Sequence, residues 1–426
     1  MKRNFISYTL PDFKKFKIQL LSFGKRFSNF CFLDNHEYDF NKSYECLAGV
    51  GTINSIVSNK ENHLQQLGEF QKENNDWIFG HVAYDLKNEI EELASENIDR
   101  IAFPEFVFFV PEIVFILSKD AVSIGVYDNY NSAKIFNQIN EISFEQRTVQ
   151  KTDLQSRFSK NEYLETVKKI QEHIARGDCY EICFCQEFFA ENAEISPVNV
   201  FKKLDDLSPN PFSAFYKWEE KYLMCASPER FLKKIKDQII SQPMKGTSKR
   251  MSGNRIKDEE EKTILLSDEK ERAENIMIVD LVRNDLSKIC TEGSVMVEEY
   301  LKIYSFPQVH QMISTIKGNL RKGTSISDIL SATFPMGSMT GAPKKKAMEL
   351  IEKFERTKRG LFSGTVGYIN PDNDFDFNVV IRSILYNNEN KYLSIQAGSA
   401  ITFKSIAEKE FEECHIKIEA MKKALE

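Results

Sequence analysis

The chain has 426 residues, with 57 Lys and Arg against 63 Asp and Glu and a net charge of −6. That length holds a large core and an enclosed site, in one integrated domain or two to three smaller ones. The mild acidity argues against nucleic acid or an anionic membrane as main partner, since both select clustered Lys and Arg.

From the N-terminus, nothing after Met1–Ser7 has the length of a signal-peptide apolar segment. Strands are expected over Asn29–Leu33, Cys46–Gly51, Trp77–Tyr84 and Ile113–Leu117, which are rich in aromatic and branched residues. The most apolar stretch, Phe103–Leu117, is cut by Pro104, Glu105, Pro111 and Glu112. A membrane-spanning helix needs roughly 20 uninterrupted apolar residues, so a soluble, cytoplasmic protein is expected. The polar segment Glu145–Arg157 is the candidate boundary between an N-terminal α+β region over 1–150 and a second region over 155–426.

Ser159 and Glu162 then form a capping-box pattern. Leu164, Val167, Ile170 and Ile174 follow at helical spacing, and Gly177 marks the stop. Phe212–Trp218, Tyr222–Ala226, Phe231–Ile235 and Gln238–Ser241 predict an antiparallel meander. Helices are predicted from Ser267 to about Lys288 and over Pro343–Phe354, the latter with Pro in its first turn. Gly364–Asn370, Phe375–Tyr386 and Tyr392–Ala397 repeat the strand pattern. A last helix, Ser405–Leu425, opens with a second capping box, Ser405 to Glu408. Runs of strands with helices alongside indicate an α+β fold rather than a doubly wound parallel sheet. Neither glycine-rich phosphate-binding fingerprint occurs, so ATP or a dinucleotide has no obvious cradle. The eight cysteines include no Cys-x-x-Cys pair and read as small buried thiols in a reducing compartment.

Four clusters have chemical potential. Glu271 with Glu274, and Glu410 with Glu413, place two carboxylates on one face of each of two helices. Two such faces meeting would suit a hard cation such as Mg²⁺, and either pair alone equally fits a solvated face. Lys245, in Pro243–Thr247, follows a strand and precedes a flexible glycine. Held away from water, it could lose its proton and attack an electrophile; at the surface it would be an ordinary lysine. Glu229, between Pro228 and Arg230, would serve as a general acid if kept protonated, or else form a turn salt bridge. Gly337–Lys344 opens a helix, either as an anion site or as a plain loop-to-helix turn.

In order along the chain, these segments resemble the chorismate-utilising enzymes: anthranilate, aminodeoxychorismate, isochorismate and salicylate synthases. The matching stretches are Gly177–Tyr180, Ser227–Arg230, Glu271–Leu281 with Arg283–Asp285, Thr340–Lys344, Gly367–Tyr368 and Ile381–Ser383. The match is strong over about 155–426 and weaker through Phe32–Asp34 and Gly80–Asp85. The resemblance implies large antiparallel sheets packed face to face with helices outside, and a catalytic domain over 155–426. It implies Mg²⁺ on Glu274 and Glu413, with Glu271 and Glu410 supporting through water, and Glu229 as general acid. Arg382, Tyr368, Thr247, Thr340, Gln311, Glu181, Lys417 and the backbone around Gly398 and Ser399 would contact chorismate.

Lys245 discriminates within the family. Members that aminate C4 of chorismate carry lysine in this motif, where anthranilate synthases typically have alanine. The lysine adds at C2 as the C4 hydroxyl departs, and ammonia then adds at C4 as lysine leaves. The runner-up readings are anthranilate synthesis and a non-catalytic subunit that binds chorismate or activates a glutaminase. Glu181 stands where ammonia-using relatives carry Gln and water-using ones Lys, and a carboxylate there would help receive ammonium. Gln311, after His310, stands where anthranilate synthases have a catalytic His. Gly398–Ile401 replaces a more glycine-rich loop. No cysteine has the Gly-x-Cys-x-Gly setting of a glutaminase nucleophile, so ammonia from a separate glutamine amidotransferase is implied. The Leu-Leu-Glu-Ser signature is replaced by Phe32–Asn35, and no tryptophan feedback is expected.

Overall fold

In a computed structural model of the chain, which describes residues 3–39, 42–58, 62–145, 151–251, 253–306 and 309–426, two large sheets are built from strands contributed by both ends of the sequence. The first has twelve strands among the described residues. It runs from Asn4–Thr9 through Ala121–Val126, Ile113–Ser118, Cys46–Val50, Asn29–Asp34, Phe212–Trp218, Lys221–Ser227, Ser383–Asn387, Tyr392–Thr402 and Glu181–Ala190 to Gly341–Ala342. Gln155–Ser156 pairs beside this path with Glu181–Ala190.

The second sheet has ten strands among the described residues. Its order is Met244–Lys249, Val309–Asn319, Gln238–Gln242, Arg230–Ile235, Phe375–Asn378, Thr365–Ile369, Ile78–Val82, Phe106–Val110 and Asn54–Val57, with Met296–Ser305 also on Val309–Asn319. Strand pairing is antiparallel in both. The α+β expectation and the face-to-face sheets with peripheral helices hold.

Hydrogen bonding crosses the candidate boundary at 145–157, of which residues 146–150 lie outside the described set. Asn29–Asp34 pairs with Phe212–Trp218, and Ile78–Val82 pairs with Thr365–Ile369. One core fills the space between the first sheet and helices such as Phe13–Gly24, Lys160–Ala175 and Pro197–Leu207. The other lies mainly between the sheets. The Glu181–Ala190 strand is buried along its whole length because it faces both. Ile182, Phe184 and Phe188 point to the helix-side core, while Cys183, Cys185 and Phe189 point between the sheets. All eight cysteines are free and buried, as their apolar settings implied. No helix among the described residues is long and apolar enough to cross a membrane.

Local signals fared unevenly. Ser159 forms both halves of its capping box, and Gly177, at φ 86°, ends that helix with its N–H on the Ile174 carbonyl. The second box does not form. The last helices begin only at Ala407, and the Ser405 hydroxyl accepts from the Thr402 N–H at 3.0 Å instead of capping.

The predicted meander is two hairpins in different sheets. Phe212–Trp218 and Lys221–Ser227 belong to the first, Arg230–Ile235 and Gln238–Gln242 to the second. The stretch Phe375–Tyr386 is likewise broken, with Phe375–Asn378 in the second sheet and Ser383–Asn387 in the first. These two crossings lie side by side: Val379 N–H bonds the Glu229 carbonyl at 3.0 Å, and Ala226 N–H bonds that of Arg382 at 3.1 Å. A chain passing between sheets leaves the ladder, which frees its side chains to project into the cleft. Glu229 and Arg382 are the residues at those two points.

Candidate active site

The cluster is assembled where the Glu181–Ala190 strand, the Met244–Lys249 strand, the sheet crossings and the Glu269–Ser287 helix converge. Lys245 donates from Nζ to Glu181 Oε1 at 3.1 Å, and both side chains are largely buried. Asn275, on the helix, donates to the carbonyls of Lys245 and Met312 at 3.3 and 3.2 Å. It thereby fixes the Lys245 backbone to the neighbouring strand. Burial works to lower the Lys245 ammonium, but Glu181, Cys183 and Glu274 outweigh it and hold the group well above the ordinary lysine range. Burial alone therefore does not free Lys245 of its proton: beside Glu181 the charged form is favoured.

Glu229 is 3% exposed and accepts from the Ser338 hydroxyl at 2.6 Å. Burial pushes its carboxyl up to about 7, against the pull of Ser338 and of the Lys245 charge. A carboxyl so placed keeps a proton near neutral pH, which is what a general acid requires. Ser338 carried no individual signal in the sequence beyond membership of the glycine-rich segment.

That segment joins the first sheet before its helix opens. Gly341–Ala342 is a short strand on Glu181 and Ile182, and a Cβ at Gly341, whose φ is 146°, would strike the Glu181 carbonyl. Its glycine allows close backbone approach. Lys344 pairs with Asp285 at 2.5 Å, and the Thr340 hydroxyl bonds the Met336 and Gly337 carbonyls of its own loop. Beneath the loop, the buried Arg359 donates to both oxygens of Glu355 and to the carbonyls of Met339 and Cys183. Removing one partner of such a buried pair typically costs about 3–5 kcal/mol, because the other charge is left uncompensated. The anchor thus holds both the Thr340 loop and the Cys183 backbone in place.

The two glutamate pairs do meet across helices Glu269–Ser287 and Ala407–Lys417. Lys270 donates to Glu410 at 2.8 Å and lies 3.6 Å from Glu274. Glu274 and Glu410 are 5% and 2% exposed, and each leaves one carboxylate oxygen without a hydrogen-bond partner. Burial, with Glu181 and Glu271 adding repulsion, pushes Glu274 up to about 8. Glu271 is also raised, by burial and by Glu413 among others. Burial works against the Glu413 charge, yet Lys417 at 2.5 Å lowers its carboxyl. Buried, unpaired oxygen donors of this kind suit a hard divalent cation.

A tighter donor set lies elsewhere. Ligand atoms of Asp34, His36 and Asp205 all fall within 4.8 Å of one another, a set able to coordinate a divalent cation. Here Lys17 donates to Asp34 at 2.6 Å, and His36 contacts Asp205 at 2.7 Å.

Among the predicted substrate contacts, Thr247 donates to Gln311 at 2.9 Å across the second sheet. Lys417 donates to the Gly398 carbonyl at 2.8 Å, and Arg382 to that of Lys417 at 3.3 Å. Arg382 has φ 52°, a costly backbone for a non-glycine residue and common at functional sites. One predicted contact is not brought to the cluster. Tyr368 lines a separate cavity with Tyr44, Asp34 and Arg230, packed on the Tyr44 and Trp77 rings. Ser399 stands opposite Phe184 and near Tyr163, so its side chain faces the helix-side core and only its backbone can serve the site. Cys183, Lys270 and Asn275 belong to the cluster and were not singled out from the sequence.

Known proteins resemble this chain in sequence and in fold. Residues 29–423 match the family model described as chorismate binding enzyme. Anthranilate synthase component 1 of Aquifex aeolicus is 33% identical over 371 residues, covering 82% of this chain and 74% of the relative. Aminodeoxychorismate synthase component 1 of Escherichia coli is 32% identical over 349 residues, covering 82% and 76%. The crystal structure of anthranilate synthase component I from Streptococcus pneumoniae superposes with a TM-score of 0.77 at 26% identity, covering 92% of each chain. The chain belongs to the chorismate-binding enzymes of the anthranilate and aminodeoxychorismate synthase family.

Proposed function

We propose that the chain aminates chorismate at C4, the reaction of aminodeoxychorismate synthase component I, giving 4-amino-4-deoxychorismate for 4-aminobenzoate and folate. The observation that carries this reading is Lys245 itself, enclosed and ion-paired to Glu181 at 3.1 Å, with the Glu229 carboxyl held at about 7 beside it. A nucleophilic amine and a protonated acid are the two groups that a two-step substitution at C4 needs.

Arg382 and Lys417 would bind carboxylates of the dianionic substrate, and guanidinium suits a bidentate contact. Glu274 and Glu413, supported by Glu271 and Glu410, would hold Mg²⁺. The ion would supply charge stabilisation and a fixed anchor for the ring carboxylate. Lys245 passes a proton to Glu181, and its amine attacks C2. Both ring double bonds shift, from C1=C2 and C5=C6 to C1=C6 and C4=C5, and Glu229 protonates the departing C4 hydroxyl as water. Ammonia then bonds to C4, the bond between C2 and lysine breaks, and the electron pair returns to the amine. Ammonia would come from a separate glutamine amidotransferase, since all eight cysteines are buried and none has a glutaminase setting.

Anthranilate synthesis is the second reading, supported by the 33% identity to the Aquifex aeolicus relative. Incubation with chorismate, Mg²⁺ and ammonium chloride separates the two. The expected product keeps its enolpyruvyl group. Release of pyruvate with fluorescent anthranilate would support the second reading instead.

A further inference from the structure

Cys183 and Cys185 share one face of the Glu181–Ala190 strand, since alternate strand residues point to the same side. Their thiols lie 3.9 Å apart, Sγ to Sγ, in the core between the sheets, where the residues are 5% and 2% exposed. That separation decides what the pair can do. A disulfide needs its sulfurs about 2.05 Å apart and its Cβ atoms about 3.5–4.5 Å apart. Alternate residues of an extended strand are spaced by about 6.6 Å, so closing a disulfide would break the strand. Two thiolates on one tetrahedral ion, each at about 2.3 Å, stand about 3.8 Å from one another. The pair already has the spacing of a chelate.

The surroundings hold that spacing. Arg359 donates to the Cys183 carbonyl at 2.7 Å, and the Cys185 N–H donates to Glu355 at 2.8 Å. A Cβ at Gly398 would strike the Cys185 sulfur, so the glycine leaves the room that sulfur occupies. The bond with Cys185 lowers the Cys183 thiol against burial, helped by the Lys245, Arg359 and Lys417 charges. Glu181, the residue before them on that face, is 1% exposed and leaves Oε2 without a hydrogen-bond partner, which offers an oxygen donor as well.

We propose that Cys183 and Cys185 form a two-thiolate site for a thiophilic d¹⁰ cation of the zinc class, and that an ion bound there stops turnover. Each thiol gives its proton to solvent and its sulfur bonds the ion, so one dication replaces two protons and the charge of the site is unchanged. The block is therefore steric, on the side of the cleft where Cys183 faces Lys245. Sulfur selects such an ion over Mg²⁺, which prefers oxygen.

Cd²⁺ is the probe, because its bonds to thiolate absorb in the ultraviolet by charge transfer and its bonds to carboxylate do not. The full chain in saturating Mg²⁺ is titrated with Cd²⁺, wild type beside Cys183→Ser and Cys185→Ser. The expected result for wild type is a charge-transfer band that saturates at one ion per chain, with chorismate consumption falling about tenfold or more. Loss of even an outer-shell partner costs about 10–100-fold in metal affinity, so losing a ligand should raise the Cd²⁺ needed for inhibition at least that much. Each variant is scaled to its own metal-free rate, and alanine replaces serine where a serine variant fails to fold. Absence of the band, a band unchanged in both variants, or full turnover at a saturated band would overturn the proposal. Inhibition is read as chorismate consumed, so a wild type that yields anthranilate fails the C4 reading and leaves this test intact.

Discussion

Lys245→Ala is expected to abolish formation of the C4-aminated product, by at least about 10³-fold, the scale of loss when a covalent nucleophile is removed. Lys245 donates a direct hydrogen bond to Glu181 Oε1, so alanine removes both the nucleophile and the counter-ion of a buried carboxylate. Lys245→Arg separates these effects, because its guanidinium, which stays protonated, keeps a cation for Glu181 and is no nucleophile. Both variants should still bind chorismate, since Arg382, Lys417 and the glutamate pairs are untouched. The measurement is product formation by mass, paired with chorismate binding by calorimetry. Wild-type turnover in either variant would remove the basis for a covalent route.

Glu229→Gln is expected to lower kcat about 10²–10⁴-fold, the usual contribution of a positioned general acid. The pH profile gives the sign. Glu229 must carry a proton to release the C4 hydroxyl, and burial raises its carboxyl to about 7. Wild-type kcat should therefore hold below that value and fall as pH rises through it. In the Gln variant this limb disappears. Stability moves separately: the raised carboxyl favours the folded state at pH below the ordinary carboxylate value, and that contribution is lost as pH rises through about 7. At pH 8 by this argument the Gln variant should melt no lower than wild type, so lost activity there is not lost fold. Thermal unfolding at pH 8 checks it.

Which residues gather at the candidate cluster was easier to read from the sequence than which sheet each strand joins, and the reason is physical. Lys245, Glu229 and the glutamate pairs sit in short motifs whose spacing survives any error in strand boundaries. Sheet membership is different. The run Phe212–Ser241 alternates like one meander, and nothing local tells that the chain leaves one sheet after Ser227 and joins another at Arg230. The same blindness joined Phe375 to Tyr386 across the strained Arg382.

Burial on both faces hid the Glu181–Ala190 strand, because residues facing two cores do not alternate apolar with polar. Ser405 shows the reverse error, a pattern with all the local marks of a cap whose hydroxyl is claimed by the strand end at Thr402. Tyr368 was carried to the site by the family resemblance. Its side chain instead points toward Tyr44 and Trp77, because the direction of a strand residue depends on register.

The central claim is that Lys245 bonds to the substrate ring, and peptide mass spectrometry after quenching tests it most directly. Wild-type protein is mixed with chorismate and Mg²⁺ without ammonium, so that the second step has no nucleophile. The account predicts that the peptide containing Lys245 gains the mass of chorismate less one water, and that Glu229→Gln suppresses this gain. A Lys245 peptide that stays unmodified while ammonium-fed protein turns over chorismate would contradict it.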